Sequence, residues 1–179
     1  MRKLLALTLA GLCCLTVSAS AVLIDQNQPN GGVYMAAFAQ GCVAQSFQQT
    51  NTNICGAGIL LQSGVGSSDN VTISVWTLLP DQGGAQMIAS GSAIGTAGQW
   101  VDVYWSWVPV TPGATYYLDF TGNTTLGIAG DLNNSYPYGC VYANCPYMQF
   151  PSYDYAFRTY YEESTATQDQ TWSEVKSLY

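Results

Sequence analysis

Short runs in which apolar and polar residues alternate, cut by turn residues every 8–12 positions, set the strongest limit on how this chain folds. Val71, Ile73 and Val75 fall on one side of such a run, with Thr72 and Ser74 on the other. Tyr116, Leu118 and Phe120 point one way; Tyr117 and Asp119 point the other. Val101, Val103, Trp105 and Trp107 share a side, opposed by Trp100, Asp102, Tyr104 and Ser106. A period of two sends successive side chains to opposite faces of a sheet, so each run predicts a strand with one dry and one wet face. The breaks between them are turn sequences such as Pro29-Asn30-Gly31-Gly32, Asp81-Gln82-Gly83-Gly84 and Pro112-Gly113. Helix formers are scarce before residue 160, and no strand–helix–strand alternation occurs. The pattern predicts an all-β, antiparallel β-sandwich of the jelly-roll type with about nine strands.

The two ends read differently. Met1-Arg2-Lys3 is basic, residues 4–17 are apolar, and Ser18-Ala19-Ser20-Ala21 is small, the order of an export signal cut after Ala21. Residues 22–161 are then the sandwich domain, and 162–179 a polar linker with a short tail in which Trp172, Val175 and Leu178 recur at helical spacing. Beyond residue 21 the chain keeps Arg158 and Lys176 against eleven acids, a net charge of −9. That balance opposes DNA, RNA and anionic membranes as partners. No stretch beyond residue 21 is long and apolar enough to form a transmembrane helix. The chain has no histidine, which excludes Ser-His-Asp and Cys-His catalysis and His-ligated zinc.

Export into an oxidising compartment makes disulfides the default use of Cys42, Cys55, Cys140 and Cys145. Four cysteines allow three pairings; the local one, Cys42–Cys55 with Cys140–Cys145, is expected. The spacings match neither a metal site nor a redox motif.

Several segments resemble a group of secreted bacterial β-sandwich domains. They are Ala44-Gln45-Ser46-Phe47, Gly58-Ile59-Leu60-Leu61, Val71-Thr72-Ile73-Ser74-Val75-Trp76, Leu126-Gly127-Ile128-Ala129 and, most distinctively, Asp154-Tyr155-Ala156-Phe157-Arg158-Thr159-Tyr160. The group is found ahead of interchangeable sorting signals in the PEP-CTERM and "choice-of-anchor" surface proteins. The resemblance implies a jelly-roll, galactose-binding-like fold without a catalytic role. The end of this chain departs from that pattern: it has no Pro-Glu-Pro motif and no terminal apolar helix.

Candidate functional residues follow from the wet faces. Trp76, Trp100, Tyr104 and Tyr117 point away from the core, with Asp102 and Asp119 near them. Aromatic rings stack on the C–H faces of sugars while carboxylates bind their hydroxyls, so a shared surface would suit a glycan; cross-strand aromatic pairs that only stabilise a sheet are the competing explanation. Residues 136–161 hold eight tyrosines, among them Tyr138 and Tyr142, in a loop-rich segment that reads either as a recognition surface or as a packed Ω-loop. Arg158 is expected to pair with a carboxylate such as Asp154 or Asp25, or else to clamp a ligand. Asp25 and Asp154 are also the candidates for a structural Ca2+ if the two ends of the domain meet; no cofactor is otherwise expected. No carboxylate pair has a spacing that marks a glycosidase. The expected function is a secreted or cell-surface, non-enzymatic binding or adhesion domain for a glycan or matrix component. The alternatives are a structural protein that self-associates and, less favoured, a glycoside hydrolase.

Overall fold

The computed structural model describes residues 20–122 and 125–164. The export signal falls almost wholly outside them, as do the tail helix and nearly all of the linker. Val22–Glu163 form one compact unit. Among the described residues there are thirteen strands, more than the nine expected, and one short 3-10 turn, Phe38–Gln40. The extra strands are short: β2 (Val33–Ala37), β10 (Val141–Ala143), β11 (Met148–Phe150) and β12 (Asp154–Tyr155). Most lie in the Tyr-rich segment, whose even aromatic content hides the two-residue period. No helix among the described residues is long and apolar enough to cross a membrane.

The chain folds as an antiparallel β-sandwich. One layer is a six-stranded sheet in the order β11-β10-β3-β8-β5-β6, built from β3 (Ala44–Gln48), β5 (Ser68–Trp76), β6 (Met87–Thr96) and β8 (Thr115–Gly122) with the β10–β11 hairpin. The other is a four-stranded sheet in the order β1-β13-β4-β7, from β1 (Ser20–Gln28), β4 (Asn53–Leu60), β7 (Trp100–Pro109) and β13 (Phe157–Ser164). A three-stranded sheet, β12-β9-β2 with β9 (Gly127–Asp131), joins the end of β4 through the Leu61–Ile128 bridge and the Gln62 N–H to Gly127 C=O bond of 2.8 Å.

The core lies where the alternation puts it. Val71, Ile73, Val75, Leu118 and Phe120 are buried on the inner face of the six-stranded sheet, and Ile54, Ala57, Ile59, Val101 and Val103 on that of the four-stranded one. The rings of Phe47 and Phe157 meet between the layers at 6.5 Å. Each such side chain removed from water stabilises the fold by about 1.5–3 kcal/mol.

Four expectations need correction. Trp107 is 54% exposed rather than inward. The pairing of β4 with β7 shifts between Ile54 and Gly56, so that Ile54 faces Val108 while Gly56 faces Tyr104, and the two surplus residues on β7 turn its end out of the core. Asp119, expected in water, is buried, because Tyr142 and Tyr147 of the β10–β11 hairpin at the edge of the same sheet reach over its outer face, and Tyr147 donates to its Oδ1 at 2.6 Å. The strand assigned to the end of the domain continues through Ser164, past the expected start of the linker at 162.

The disulfide is the fourth. Cys42 pairs with Cys145, Cα–Cα 5.3 Å, while Cys55 and Cys140 are buried free thiols. Strand pairing decides it. Val141 faces Gln45 and Tyr142 faces Ala44, so the same antiparallel register, continued, brings Cys42 beside the residues that follow Ala143. Cys55 sits on β4, in the other layer, and Cys140 is held at Ser46 through the 3.0 Å Ser46 N–H to Cys140 C=O bond. Sequence proximity is a poor guide when register places cysteines 103 positions apart in contact.

Candidate functional site

The four aromatic residues expected to form one surface are divided between the two layers. Trp100 and Tyr104 project from β7 on the four-stranded sheet; Trp76 and Tyr117 are direct cross-strand partners on β5 and β8 of the six-stranded sheet. They form two separate clusters.

The first cluster depends on two glycines. In β4 the outward positions are Gly56 and Gly58, flanking Ala57. Asp102 and Arg158 are the partners of Gly58 on either side, and Tyr104 and Tyr160 are those of Gly56. With no side chain on the middle strand, residues of β7 and β13 meet across it. Arg158 forms a bidentate ion pair with Asp102, Nε to Oδ1 at 2.8 Å and Nη2 to Oδ2. The Tyr160 hydroxyl donates to Asp102 Oδ1 at 2.8 Å, and the Tyr104 and Tyr160 rings lie 5.0 Å apart. The guanidinium carbon sits 4.3 Å over the Trp100 ring, a cation–π contact. The hydrogen bonds that Arg158 donates to the Asp102 carboxylate hold its pKa above its ordinary value, so the cation is permanent. Arg158 therefore pairs with Asp102, not with Asp154 or Asp25. Tyr160 is buried, Trp100 half-buried, and Tyr104 is 56% exposed. The result is a fixed polar-aromatic surface with one ring open to solvent.

The second cluster is largely sealed. Tyr142 meets Tyr117 edge-on at 5.6 Å, and the Trp76 indole N–H donates to Ser74 Oγ at 2.9 Å. Ala44, Ser46, Ser74 and Asp119, all on this outer face, are buried beneath the segment that carries Tyr142 and Tyr147. Burial raises the Asp119 pKa, with the Tyr147 hydrogen bond acting against it. Burial likewise raises Tyr142, reinforced by Cys140 and Tyr117. Tyr142 and Tyr147 thus cover the sheet, Tyr136 and Tyr155 lie in the core and Tyr160 belongs to the first cluster, so most of the Tyr-rich segment is engaged within the fold. Tyr138 is an exception, 60% exposed and packed edge-on to the buried Tyr136 at 5.9 Å.

Asp25 and Asp154 are each engaged by protein donors. Asp25 accepts from the Thr50 N–H (2.7 Å), the Thr50 hydroxyl and the Asn51 side-chain amide (2.8 Å). Asp154, fully buried, accepts from Gln45 Nε2 (3.0 Å) and the Tyr136 N–H (2.8 Å). N–H dipoles aimed at both oxygens of a carboxylate take the positions a cation would occupy and repel it. Among the described residues no three acidic or cysteine side chains gather as a metal site.

A hollow of about 160 Å3 was not anticipated from sequence. Its rim carries the exposed Tyr34, Gln40, Leu132 and Asn144, and its deepest residues are Val141, Ala143 and Tyr155. The parallel rings of Phe150 and Tyr153, 6.0 Å apart, complete one wall. Its residues come from β2, the end of β9, the β10–β11 hairpin and β12, which only the folded topology brings together. The first cluster did carry a local signal: Gly56-Ala57-Gly58 places two glycines on the same face of an otherwise apolar strand. Comparison with protein-family models, curated proteins and solved structures found no match to the chain.

Proposed function

We propose that the protein is a secreted or cell-surface binding domain, non-catalytic, that takes carbohydrate on the outer face of its four-stranded sheet. The observation that carries this reading is Tyr104, a ring more than half exposed, fixed against Tyr160 and flanked by Trp100, Asp102 and Arg158. A ring held rigid before binding offers a stacking surface with little entropy left to lose. The ion pair beside it supplies charged acceptors and donors for sugar hydroxyls. The resemblance to secreted sandwich domains of surface proteins agrees with this role. The single surface of four aromatics that would have been the main support for a glycan site does not form, since Trp76 and Tyr117 lie on the other layer, so the proposal rests on Tyr104, Trp100, Asp102 and Arg158 alone.

The test is a glycan array followed by titration of the best binder. Tyr104→Ala should weaken binding at least about tenfold, the loss of roughly 1.4 kcal/mol of stacking. Absence of binding to any glycan at millimolar concentration would remove the proposal.

One observation favours self-association as a second reading. Strand β1 ends the order of its sheet, and Val22, Leu23 and Ile24 on it are 50%, 40% and 46% exposed. An apolar edge strand is a template for pairing with another chain. Sedimentation velocity decides: concentration-dependent growth that Ile24→Lys abolishes supports it, and a monomer throughout rejects it.

A further inference from the structure

A second hollow, at the end of the sandwich beside Tyr138, has the parts of a sugar site. We propose that it binds one pyranose ring of a neutral glycan, stacked on Tyr138 and hydrogen-bonded through an oxygen to Gln26 Nε2. It shares its ligand class with the face that carries Tyr104 but none of its residues, so the two sites stand or fall separately.

Three observations support the assignment. The first is an open donor on a buried residue. Gln26, on β1, lines the hollow and is only 8% exposed. Its Oε1 accepts from the Tyr136 hydroxyl at 3.0 Å. Its Nε2 donates to no group among the described residues, and it is reachable from outside, unlike the sealed hydroxyl of Tyr155. An amide nitrogen carries two donors, and a residue so deeply placed rarely leaves them unanswered. The second is a fixed ring. Tyr138 is 60% exposed, yet it packs edge-on to Tyr136 at 5.9 Å. Tyr136 in turn meets Phe157 at 5.0 Å, and its hydroxyl also accepts from the Gln48 N–H at 3.1 Å. Tyr136 thus fixes both the platform and the amide. The third is the character of the walls. The rest of the lining comes from Gln48, Gln49 and Thr50 and from the Pro112-Gly113 turn, and no residue that lines the hollow bears a charge.

These parts favour a sugar over other ligands. The Tyr138 and Pro112 rings offer apolar surface to C–H groups, and the glutamine amides offer donors and acceptors to hydroxyls. A proline-rich peptide docks on a groove lined with aromatics, and Tyr138 is the one aromatic in this lining. An acidic sugar would meet no cation here, and the Asp25 carboxylate, which accepts from the Thr50 N–H at 2.7 Å, stands beside the rim. The volume of about 330 Å3 falls in the range of roughly 300–1,000 Å3 usual for small-ligand sites. The frame is held from within: the Gly113 N–H donates to the Gln49 carbonyl at 2.9 Å, and Gln49 Oε1 accepts from Thr159 at 2.8 Å. Little ordering cost therefore attends binding.

The experiment is NMR of the full chain, following the Gly113 amide and the Gln26 side-chain amide. The probes are the methyl glycosides of glucose, galactose, mannose and N-acetylglucosamine, with glucuronate and a polyproline peptide as competing classes. At least one neutral glycoside should give saturable shifts at both signals and bind more tightly than glucuronate or the peptide. Tyr138→Ala should weaken it at least about tenfold, and Tyr138→Phe should keep most of the binding. Gln26→Glu preserves the acceptor for Tyr136 but removes the donor, and should weaken binding about three- to tenfold. Tyr104→Ala should leave this titration unchanged, which separates it from the outer face of the four-stranded sheet. The proposal is overturned if none of the four glycosides shifts the two signals, if glucuronate or the peptide binds more tightly, or if Tyr138→Ala, an exposed change that leaves the core intact, binds as well as the wild type.

Discussion

Replacing Gly58 with alanine should destabilise the protein through the ion pair above it. A Cβ built on Gly58 overlaps Asp102 Oδ1, lies 3.1 Å from Asp102 Cγ and 3.2 Å from Arg158 Cγ. Non-bonded carbons sit at roughly 3.5–4 Å, so the carboxylate must retreat by about 1 Å. That displacement lengthens the 2.8 Å bonds from Arg158 Nε and from the Tyr160 hydroxyl beyond useful range. The Asp102 and Arg158 side chains are 21% and 22% exposed, so the pair stands between a surface bridge of about 0–1 kcal/mol and a buried one of about 3–5, near 2 kcal/mol. Alanine in a strand recovers about 0.5–1 kcal/mol relative to glycine by its smaller loss of backbone freedom. The net cost is about 1–1.5 kcal/mol, read as the shift of the urea midpoint at pH 7.

The same reasoning reverses the sign in a second background. With Asp102→Ala already made, the methyl at position 58 meets no carboxylate, and the long Arg158 side chain can swing aside. Gly58→Ala should then stabilise by about 0.5–1 kcal/mol. The coupling between the two substitutions is about 2 kcal/mol, well above the few tenths expected of independent sites. Equal destabilisation by Gly58→Ala in both backgrounds would refute the idea that the glycine exists to let β7 and β13 meet.

Further outcomes can be measured on the same protein. Removing the Cys42–Cys145 link by a double Ser substitution should cost about 4–5 kcal/mol by loop-closure entropy, given the separation of 103 residues, and a non-reducing peptide map should recover these two cysteines in one fragment. Asp119 has its pKa raised by burial, so it binds a proton more tightly in the folded than in the unfolded chain. It therefore withdraws stability as pH climbs from the ordinary carboxylate range through the raised native value. Asp119→Asn keeps an acceptor for Tyr147, and its urea midpoint should gain on the wild type between pH 3 and pH 7; a flat difference contradicts the assignment. Tyr155→Phe removes a hydroxyl without a partner, so stability should hold or rise by up to about 1 kcal/mol, and a loss larger than that reveals a hydrogen bond.

How far this fold can be read from its residues depends on the range of the cause. Val71, Ile73, Val75, Leu118 and Phe120 are inside because each strand carries its own two-residue pattern, a property of neighbours along the chain. The burial of Asp119 has a distant cause, a tyrosine 28 positions away that lies over its sheet. The disulfide is likewise decided by the pairing of β10 with β3, and the separation of Trp76 and Tyr117 from Trp100 and Tyr104 by the order of strands. Alternation reports which face of a strand is wet and is silent about which sheet the strand joins.

Gly56 and Gly58 lie between these extremes, and they show what kind of local signal can point to a site. Their two-residue spacing is as regular as that of Val71, Ile73 and Val75, but it marks missing side chains on the outer face instead of buried ones on the inner face. Glycine weakens a strand, so two in register on one side of β4 need a compensating contact. The partners supply it: Asp102 with Arg158 over one glycine, Tyr104 with Tyr160 over the other. A central strand bare on its outer face thus allows its neighbours to build a charged and aromatic surface that neither could hold alone. Adding bulk at Gly58 should therefore damage that surface before it damages the core, since it meets only the Asp102 and Arg158 side chains, whereas a Cβ at Gly56 would also press on the Val103 carbonyl of β7.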